Sequence, residues 1–456
     1  MSGRPILTAA EMRAAEAAAI AAGTPVEALM DRAGTAAAEA VWRYAGALPT
    51  LVLCGPGNNG GDGYVIALRL QERGIPVRVA AAGEPRTPAA AAARARWTGP
   101  LEDLASAPPA PVLVDALFGT GLTRGLDESL AQRLARLAAA ARVRVAVDLP
   151  SGVATDDGRI LSPVPDFDLT VTFATLKPSH RLQPAARHMA RVVVADIGIA
   201  AESRLTALER PGIRAPGPDD HKYSRGKVIV VGGEMPGAAA LAAIAAARAG
   251  AGYVTLVGGS GTVPNAIVRA DELDDQLHDA RVGCVVVGPG LGRSAEAWEK
   301  LRRALATAHP IVLDGDALWL LAERGMPSVT AAPLVATPHA GEFRHLFGDG
   351  GSKVDAARAA AARHGMTIVY KGADTVLAAR DGRAAIAGAD SHWLATAGTG
   401  DVLAGVVAAR VASGMEPFEA ASAAVWLHGR AAELAGPGLI ADDLLAALPT
   451  ALAECL

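Results

Sequence analysis

Near the C-terminus, Ala395-Thr396-Ala397-Gly398-Thr399-Gly400-Asp401 runs directly into the apolar stretch Val402 to Val411. Glycines ahead of a helical run leave backbone N–H groups unscreened at a helix N-terminus, a cradle for anionic phosphate. An aspartate beside such a cradle would be repelled by phosphate, so it suits a base that meets an acceptor hydroxyl opposite the terminal phosphate of a nucleotide. The competing reading of Asp401 is an N-capping carboxylate in a glycine-rich loop.

A second cluster of chemistry lies in the first half. GPGNNGGDG, from Gly55 to Gly63, holds a formal G-x-G-x-x-G at Gly55, Gly57 and Gly60, a weak dinucleotide signal without a clear acidic residue at the end of the next strand. Its polar content says more. Asn58, Asn59 and Asp62 set amide and carboxylate oxygens among Gly60 and Gly61, suited to a ligand's hydroxyls or a hard cation, or else to a simple Asn/Gly/Asp turn. Two further apolar runs end in polar residues: Val112 to Asp115, followed by Ala116-Leu117-Phe118-Gly119-Thr120-Gly121-Leu122, and Val143 to Val147, followed by Asp148-Leu149-Pro150-Ser151-Gly152. Ligands of open parallel sheets sit beyond the carboxyl ends of the strands, so Asn59, Asp62, Asp115, Asp148 and Ser151 are expected to converge.

The second half repeats the pattern with different residues. Ile311 to Leu313 ends in Asp314 and Asp316, Val335-Ala336-Thr337-Pro338 in His339 and Glu342, and Thr367 to Tyr370 in Lys371-Gly372-Ala373-Asp374-Thr375, after which the strand is expected to continue. His339 and Glu342 suit a binding role or a helix start equally, whereas Lys371 suits nucleotide phosphate; no Walker A motif occurs. The small residues from Glu234 to Ala239 permit either close approach of a ligand or tight helix packing. Lys177-Pro178-Ser179-His180 reads as a phosphate contact or a solvated loop.

The elements that must position these groups are legible in outline. Met1 to Met30 has helical spacing, with Thr8 and Glu11 forming a capping box. Thr50 to Cys54, a loop from Gly55 to Gly63, a helix from Tyr64 to Arg73 and a strand from Val77 to Ala82 make a βαβ unit. Prolines and glycines among charged residues from Glu202 to Gly226 mark a linker, with the boundary between Leu208 and Asp219 and domains of residues 1–210 and 211–456. Three helices are expected after Asp401, with Trp426 packed in the core and His428 a satisfied helical polar residue.

At 456 residues the chain is long enough for two or three domains, and half its residues are apolar, chiefly alanine and aliphatic side chains. The class is α/β. A net charge of −4 with no basic block argues against nucleic acid as the main partner. Cys54, Cys284 and Cys455 are odd in number and widely spaced, as in a cytoplasmic protein with reduced thiols. Neither a signal peptide nor a membrane span is read, since Glu11 and Glu16 interrupt the first candidate and Arg248, Gly250 and Gly252 the second.

The combination of GNNGGDG, VDALFGTG and DLPSG resembles the YjeF N-terminal domain family, the NAD(P)H-hydrate epimerases, over about Ile6 to Thr206. The resemblance implies a Rossmann-like three-layer domain in which Asn58, Asn59, Gly60, Gly61 and Asp62, with Gly119, Thr120, Gly121, Leu122, Thr123, Arg124 and Gly125, line the hydrate site. It also implies a potassium ion on Asn59, Asp115 and Ser151, and Asp148 at the epimerising carbon as a proton shuttle. TPHAGE, KGADT and ATAGTGD in this order resemble the ribokinase-like superfamily, most closely its ADP/ATP-dependent NAD(P)H-hydrate dehydratases, from about His221 onward. That implies Ala238, Gly290 and His339 on the hydrate, Lys371, Gly372, Ala373, Asp374, Thr375 and Gly400 on adenine nucleotide with magnesium, and Asp401 facing the hydrate's hydroxyl. Where many members read N-P-G-M-A-T-G-G-T-G-D, this chain has Ser391-His392-Trp393-Leu394 and Ala397, and Gly315 replaces alanine in a D-A-D-A-L run. The pair of resemblances implies a two-activity repair enzyme of hydrated NADH or NADPH, cytoplasmic and homo-oligomeric, with ADP preferred to ATP. The alternative is a vitamin or sugar kinase with an accessory dinucleotide-binding domain.

Overall fold

The computed structural model describes residues 3–259, 261–326, 332–388 and 391–456. It divides into two compact units, Arg4–Leu205 and Thr206–Leu456, the latter joined by Gly3. Among the described residues no helix is long and apolar enough to cross a membrane.

The first unit runs α1 (Ala9–Ala21), α2 (Val26–Ala45), β1 (Thr50–Cys54), α3 (Asn58–Glu72), β2 (Val77–Ala81), α4 (Pro88–Arg96), β3 (Leu101–Asp103), β4 (Val112–Ala116), α5 (Glu128–Ala140), β5 (Val143–Val147), β6 (Leu169–Phe173) and β7 (Val192–Ala195). Its seven strands are all parallel, in the order β3-β2-β1-β4-β5-β6-β7. Every residue of β1, β4 and β6 is buried, as expected of strands covered on both faces. The order reverses between β1 and β4, which opens a crevice at their carboxyl ends.

The N-terminal arm is helical as expected, in two helices: Thr8 and Glu11 form the expected capping box at α1, and Pro25 opens α2; Met1 and Ser2 lie outside the described residues. Two local expectations change. The Gly55 to Gly63 segment is a loop only as far as Gly57, since α3 already begins at Asn58. Packing explains its glycines, because a Cβ at Gly60 would stand 1.8 Å from the Gly55 carbonyl oxygen. Finally, the strand ending at Tyr370 does not continue through Lys371 to Thr375 but turns back on itself, as the second unit shows.

That unit contains β8 (Leu205–Ala207), β9 (Lys227–Val231), α6 (Pro236–Arg248), β10 (Tyr253–Val257), β11 (Val268–Ala270), α7 (Leu273–Leu277), β12 (Val282–Val287), α8 (Ala295–Leu305), β13 (Ile311–Leu313), α9 (Asp316–Arg324), β14 (Leu334–Ala336), α10 (Ala340–Phe347), α11 (Lys353–His364), β15 (Thr367–Tyr370), β16 (Val376–Ala378), β17 (Ala384–Ile386), α12 (Thr399–Ala412), α13 (Pro417–Ala435) and α14 (Ala441–Ala453). The sheet order is β11-β10-β9-β12-β13-β14-β15-β16-β17-β8, parallel from β11 to β15, with antiparallel β15-β16-β17 pairings beyond. Alanines on α6 let α12 approach closely: a Cβ at Gly405 would fall 2.1 Å from the Ala242 carbonyl oxygen. This helix pair sits in the largely Ala/Val/Leu core of the unit, which fixes where α12 begins.

Candidate active sites

In the first unit, the carboxyl ends of β1, β4 and β5 bring together the residues singled out from sequence. Asp115, fully buried at the end of β4, accepts from the Ser151 amide (2.9 Å), the Ser151 hydroxyl (2.7 Å) and the Leu117 amide (3.1 Å). Burial pushes its carboxyl up to about 6 against these three bonds. Asn59, on the first turn of α3, accepts from the Gly119 amide and donates to the Val147 carbonyl, each at 3.2 Å. A Cβ at Gly119 would stand 3.0 Å from both the Asn59 side-chain amide and Asp148 Oδ2, so a side chain at that position would crowd both groups.

Asp148 follows β5 with φ +65°, in the left-handed region. Its Oδ1 accepts from Lys177 Nζ (2.6 Å) and Thr172 Oγ1 (2.9 Å), and its Oδ2 from the Thr120 amide (2.9 Å) and the Thr120 hydroxyl. Burial opposes ionisation, but the Lys177 ammonium and these donors outweigh it and hold the carboxyl well below the usual carboxylate range. Asp62 and Glu16 face the same centre. Burial, together with Asp148, raises both.

The other expected hydrate contacts spread out. Asn58 is exposed and accepts from Thr87 Oγ1 at 2.6 Å, while Gly60, Gly61 and Asp62 are buried inside α3. Gly121, Thr123 and Arg124 are exposed, and Leu122 and Gly125 half-buried, on the loop before α5. Lys177 and His180 do not form a solvated loop, being 1% and 4% exposed and turned onto Asp148. Sequence reasoning passed over Glu16, whose place on α1 beside this centre leaves no local motif.

In the second unit, Gly398 takes φ +86° as the N-cap of α12, so the Thr399, Gly400 and Asp401 amides open the helix. Thr399 and Gly400 line a cavity of about 690 Å³ together with Lys371, Gly372, Ala373, Thr375 and His339, among others, whereas Asp401, Ala238 and Gly290 are not among its lining residues. Its volume is that of a small-molecule site. Asp374, grouped with these from sequence, instead pairs with Lys353 at 2.6 Å. Ser391, His392 and Leu394 also line the cavity, so the departures from the commoner wording shape its wall, whereas Trp393 is exposed.

Behind the helix start, Asp314 Oδ1 accepts from Lys371 Nζ (2.7 Å) and Thr337 Oγ1 (2.8 Å). Burial pushes Asp401 up to about 7; Asp314, Asp316 and Glu342 add to this, and Lys371 opposes it. His339 caps α10, its Nδ1 accepting from the Gly341 and Glu342 amides, while Glu342 returns a bond to the His339 amide. Both residues are thus helix-start groups, and His339 is also at the cavity wall. Ala238 and Gly290 lie together, since a Cβ at Gly290 would be 3.0 Å from that of Ala238, and Gly292 donates to Asp316 at 3.0 Å. His428 is more than a satisfied helical residue: buried beside the cavity, its Nε2–H donates to the Thr399 carbonyl at 2.9 Å.

A family model matches the sequence of each unit. Residues 26–179 match the model of the YjeF-related protein N-terminus, and residues 228–453 the model of the NAD(P)H-hydrate dehydratase. The chain is 36% identical to the bifunctional NAD(P)H-hydrate repair enzyme Nnr of Salinibacter ruber, covering 99% of this chain and 96% of that one. It is 37% identical to the enzyme of the same name from Mycobacterium tuberculosis, covering 90% of each chain. A solved ribokinase-like superfamily protein from Enterococcus faecalis, 24% identical, covers 56% of this chain and 98% of its own with a TM-score of 0.50, which shows the fold of the second unit. Matched along nearly its whole length, the chain belongs to the family of bifunctional NAD(P)H-hydrate repair enzymes.

Proposed function

We infer that the protein is a bifunctional repair enzyme: its first unit interconverts the epimers of hydrated NADH and NADPH, and its second dehydrates one epimer at the expense of ADP or ATP. The observation that carries the second activity is Asp401, raised to about 7 beside a helix N-terminus that opens on a 690 Å³ cavity. A base with that value is poised near neutral pH to accept a proton.

In this reading the amides of α12 and Lys371 hold the nucleotide's phosphates, and Ala238, Gly290 and His339 border the hydrate. Asp401 takes the proton of the ring hydroxyl as its oxygen bonds to the terminal phosphorus and the bond from that phosphorus to the nucleotide breaks. The phosphate then leaves with the C–O electron pair, and loss of a proton from the neighbouring carbon restores the ring double bond. Among the described residues no group of three or more His, Cys, Asp or Glu forms a metal cage. Magnesium bound with the nucleotide would neutralise charge on its phosphates.

For the first unit, Asp115 is a buried carboxylate held by Ser151 and Leu117, neither of them charged. Such a group fits a hard monovalent cation, with Asn59 and Ser151 completing an oxygen donor set for potassium, whose charge would offset the carboxylate. Asp148 would face the ring of the hydrate. Three free, buried cysteines suit a cytoplasmic setting.

The test is stoichiometry. Incubation of the dehydratable epimer with ADP is expected to yield free phosphate and reduced nicotinamide nucleotide in equal amounts. Accumulation of a stable phosphorylated product would instead identify a small-molecule kinase.

A further inference from the structure

The segment that sequence left between two readings, Lys177-Pro178-Ser179-His180, is the most tightly bonded part of the first unit's centre. Lys177 Nζ donates to Asp148 Oδ1 (2.6 Å), Thr172 Oγ1 (2.7 Å) and the Phe173 carbonyl (3.1 Å), so all three of its protons are engaged. His180 Nδ1 accepts from the Lys177 amide (2.9 Å), which leaves the ring proton on Nε2, and Nε2–H donates to the Asp148 carbonyl (2.8 Å). One imidazole therefore ties the backbone of Lys177 to that of Asp148. Asp148 holds a left-handed φ of +65° that a residue with a Cβ adopts only where its surroundings impose it.

Resting on the epimerase reading, we propose that Lys177 and His180 are the positioning residues of that centre, and that they make Asp148 a fixed anion rather than a proton carrier. Two donors engage each of its carboxylate oxygens. The chemistry calls for such a charge. Water added to an enamine-like double bond leaves its hydroxyl on the carbon beside the ring nitrogen, where the nitrogen's lone pair stabilises a cation. For epimerisation the hydroxyl accepts a proton from water and departs as water with the C–O electron pair, and the nitrogen lone pair closes a C=N⁺ bond. Water then adds to the opposite face and returns a proton to solvent, so atoms and charge balance. A carboxylate that stays ionised beside this ring stabilises the cation throughout.

Other titratable groups face Asp148 from each element around it: Glu16 on α1, Asp62 on α3, and His180 in the turn after β6. Burial raises both carboxyls, and burial also pushes the His180 imidazole down to about 4, which keeps it neutral. Lys177 is thus the strongest favourable charge on Asp148.

The experiment measures epimer interconversion across pH in the full chain, with nucleotide-dependent dehydration in the same sample as the check on folding. Lys177→Met is expected to lower kcat about 100-fold with KM nearly unchanged, and to bring in an acid limb, absent from the parent, above the ordinary aspartate value of about 3.9. Lys177→Arg should show no such limb, and His180→Gln, which keeps a donor and an acceptor, should retain more activity than His180→Leu. An unchanged rate in Lys177→Met, or a loss uniform across pH, would overturn the proposal. If that variant fails to fold, ¹³C titration of the parent's Asp148 carboxyl decides, with Asp148→Asn giving the assignment. Ionisation persisting to the lowest pH at which the parent is folded supports the proposal, and a midpoint at or above the ordinary value contradicts it. A parent without any epimerisation would remove the epimerase reading itself, a result distinct from a pH-insensitive Lys177→Met.

Discussion

Lys371 Nζ lies 2.7 Å from Asp314 Oδ1, and a Cβ placed on Gly400 at the start of α12 would stand 3.1 Å from that same ammonium. The lysine proposed to hold phosphate is thus tethered to a buried carboxylate and crowded against the helix's opening amides. Gly400→Ala should push the ammonium aside rather than block the site, because the obstructing atom ends a flexible side chain. The expected outcome is a rise in the nucleotide's KM of about tenfold, with epimer interconversion unchanged, measured on one preparation.

The rate of dehydration should rise with pH through about 7. Asp401 accepts a proton only as the carboxylate, and burial together with the like charges of Asp314, Asp316 and Glu342 holds the protonated form up to that value. Below it kcat/KM for the hydrate falls; above it the rate levels. Asp316→Asn removes one like charge, so its profile should shift to lower pH. An unmoved limb in that variant would assign the titration to another group.

His428 should contribute stability that disappears in mild acid. Burial lowers its imidazole to about 4 from 6.5, so the unfolded chain binds the proton more readily, and the contribution is lost as pH falls from 6.5 toward 4. The full effect is of the order of 3 kcal/mol. Asp115 and Asp401, raised to about 6 and 7, act in the opposite sense over this window, so the comparison must be with a variant. In urea unfolding, the stability gap between the parent and His428→Gln should narrow from pH 7 to pH 4.5.

Much of both sites was legible because parallel sheets place their ligands at strand ends. Asp115, Asp148 and Ser151 in one unit, and Asp314 and Lys371 in the other, lie at or just after the end of a buried apolar run that fixes their position, whereas Gly400 is marked by the small residues that open α12. What escaped depends on contacts distant in sequence. Glu16 reaches its centre from α1, and Lys177 follows β6 by a turn that nothing in its own residues distinguishes from a solvated loop. Asp374 sits within a motif yet turns to Lys353, twenty-one residues earlier in the chain. The glycines after β1 suggested a loop because their local freedom is visible in sequence, whereas the close packing that requires them at the start of α3 is not.

The most direct test follows the return of reduced-nicotinamide absorbance from a mixture of both hydrate epimers, in the parent, Asp148→Asn and Asp401→Asn proteins, with ADP, with ATP and with neither. The parent with nucleotide should recover all of the absorbance, Asp148→Asn only the share present as the dehydratable epimer, and Asp401→Asn none while still interconverting the epimers. Recovery without nucleotide, or loss of both activities in either folded variant, would contradict two separate centres with divided labour.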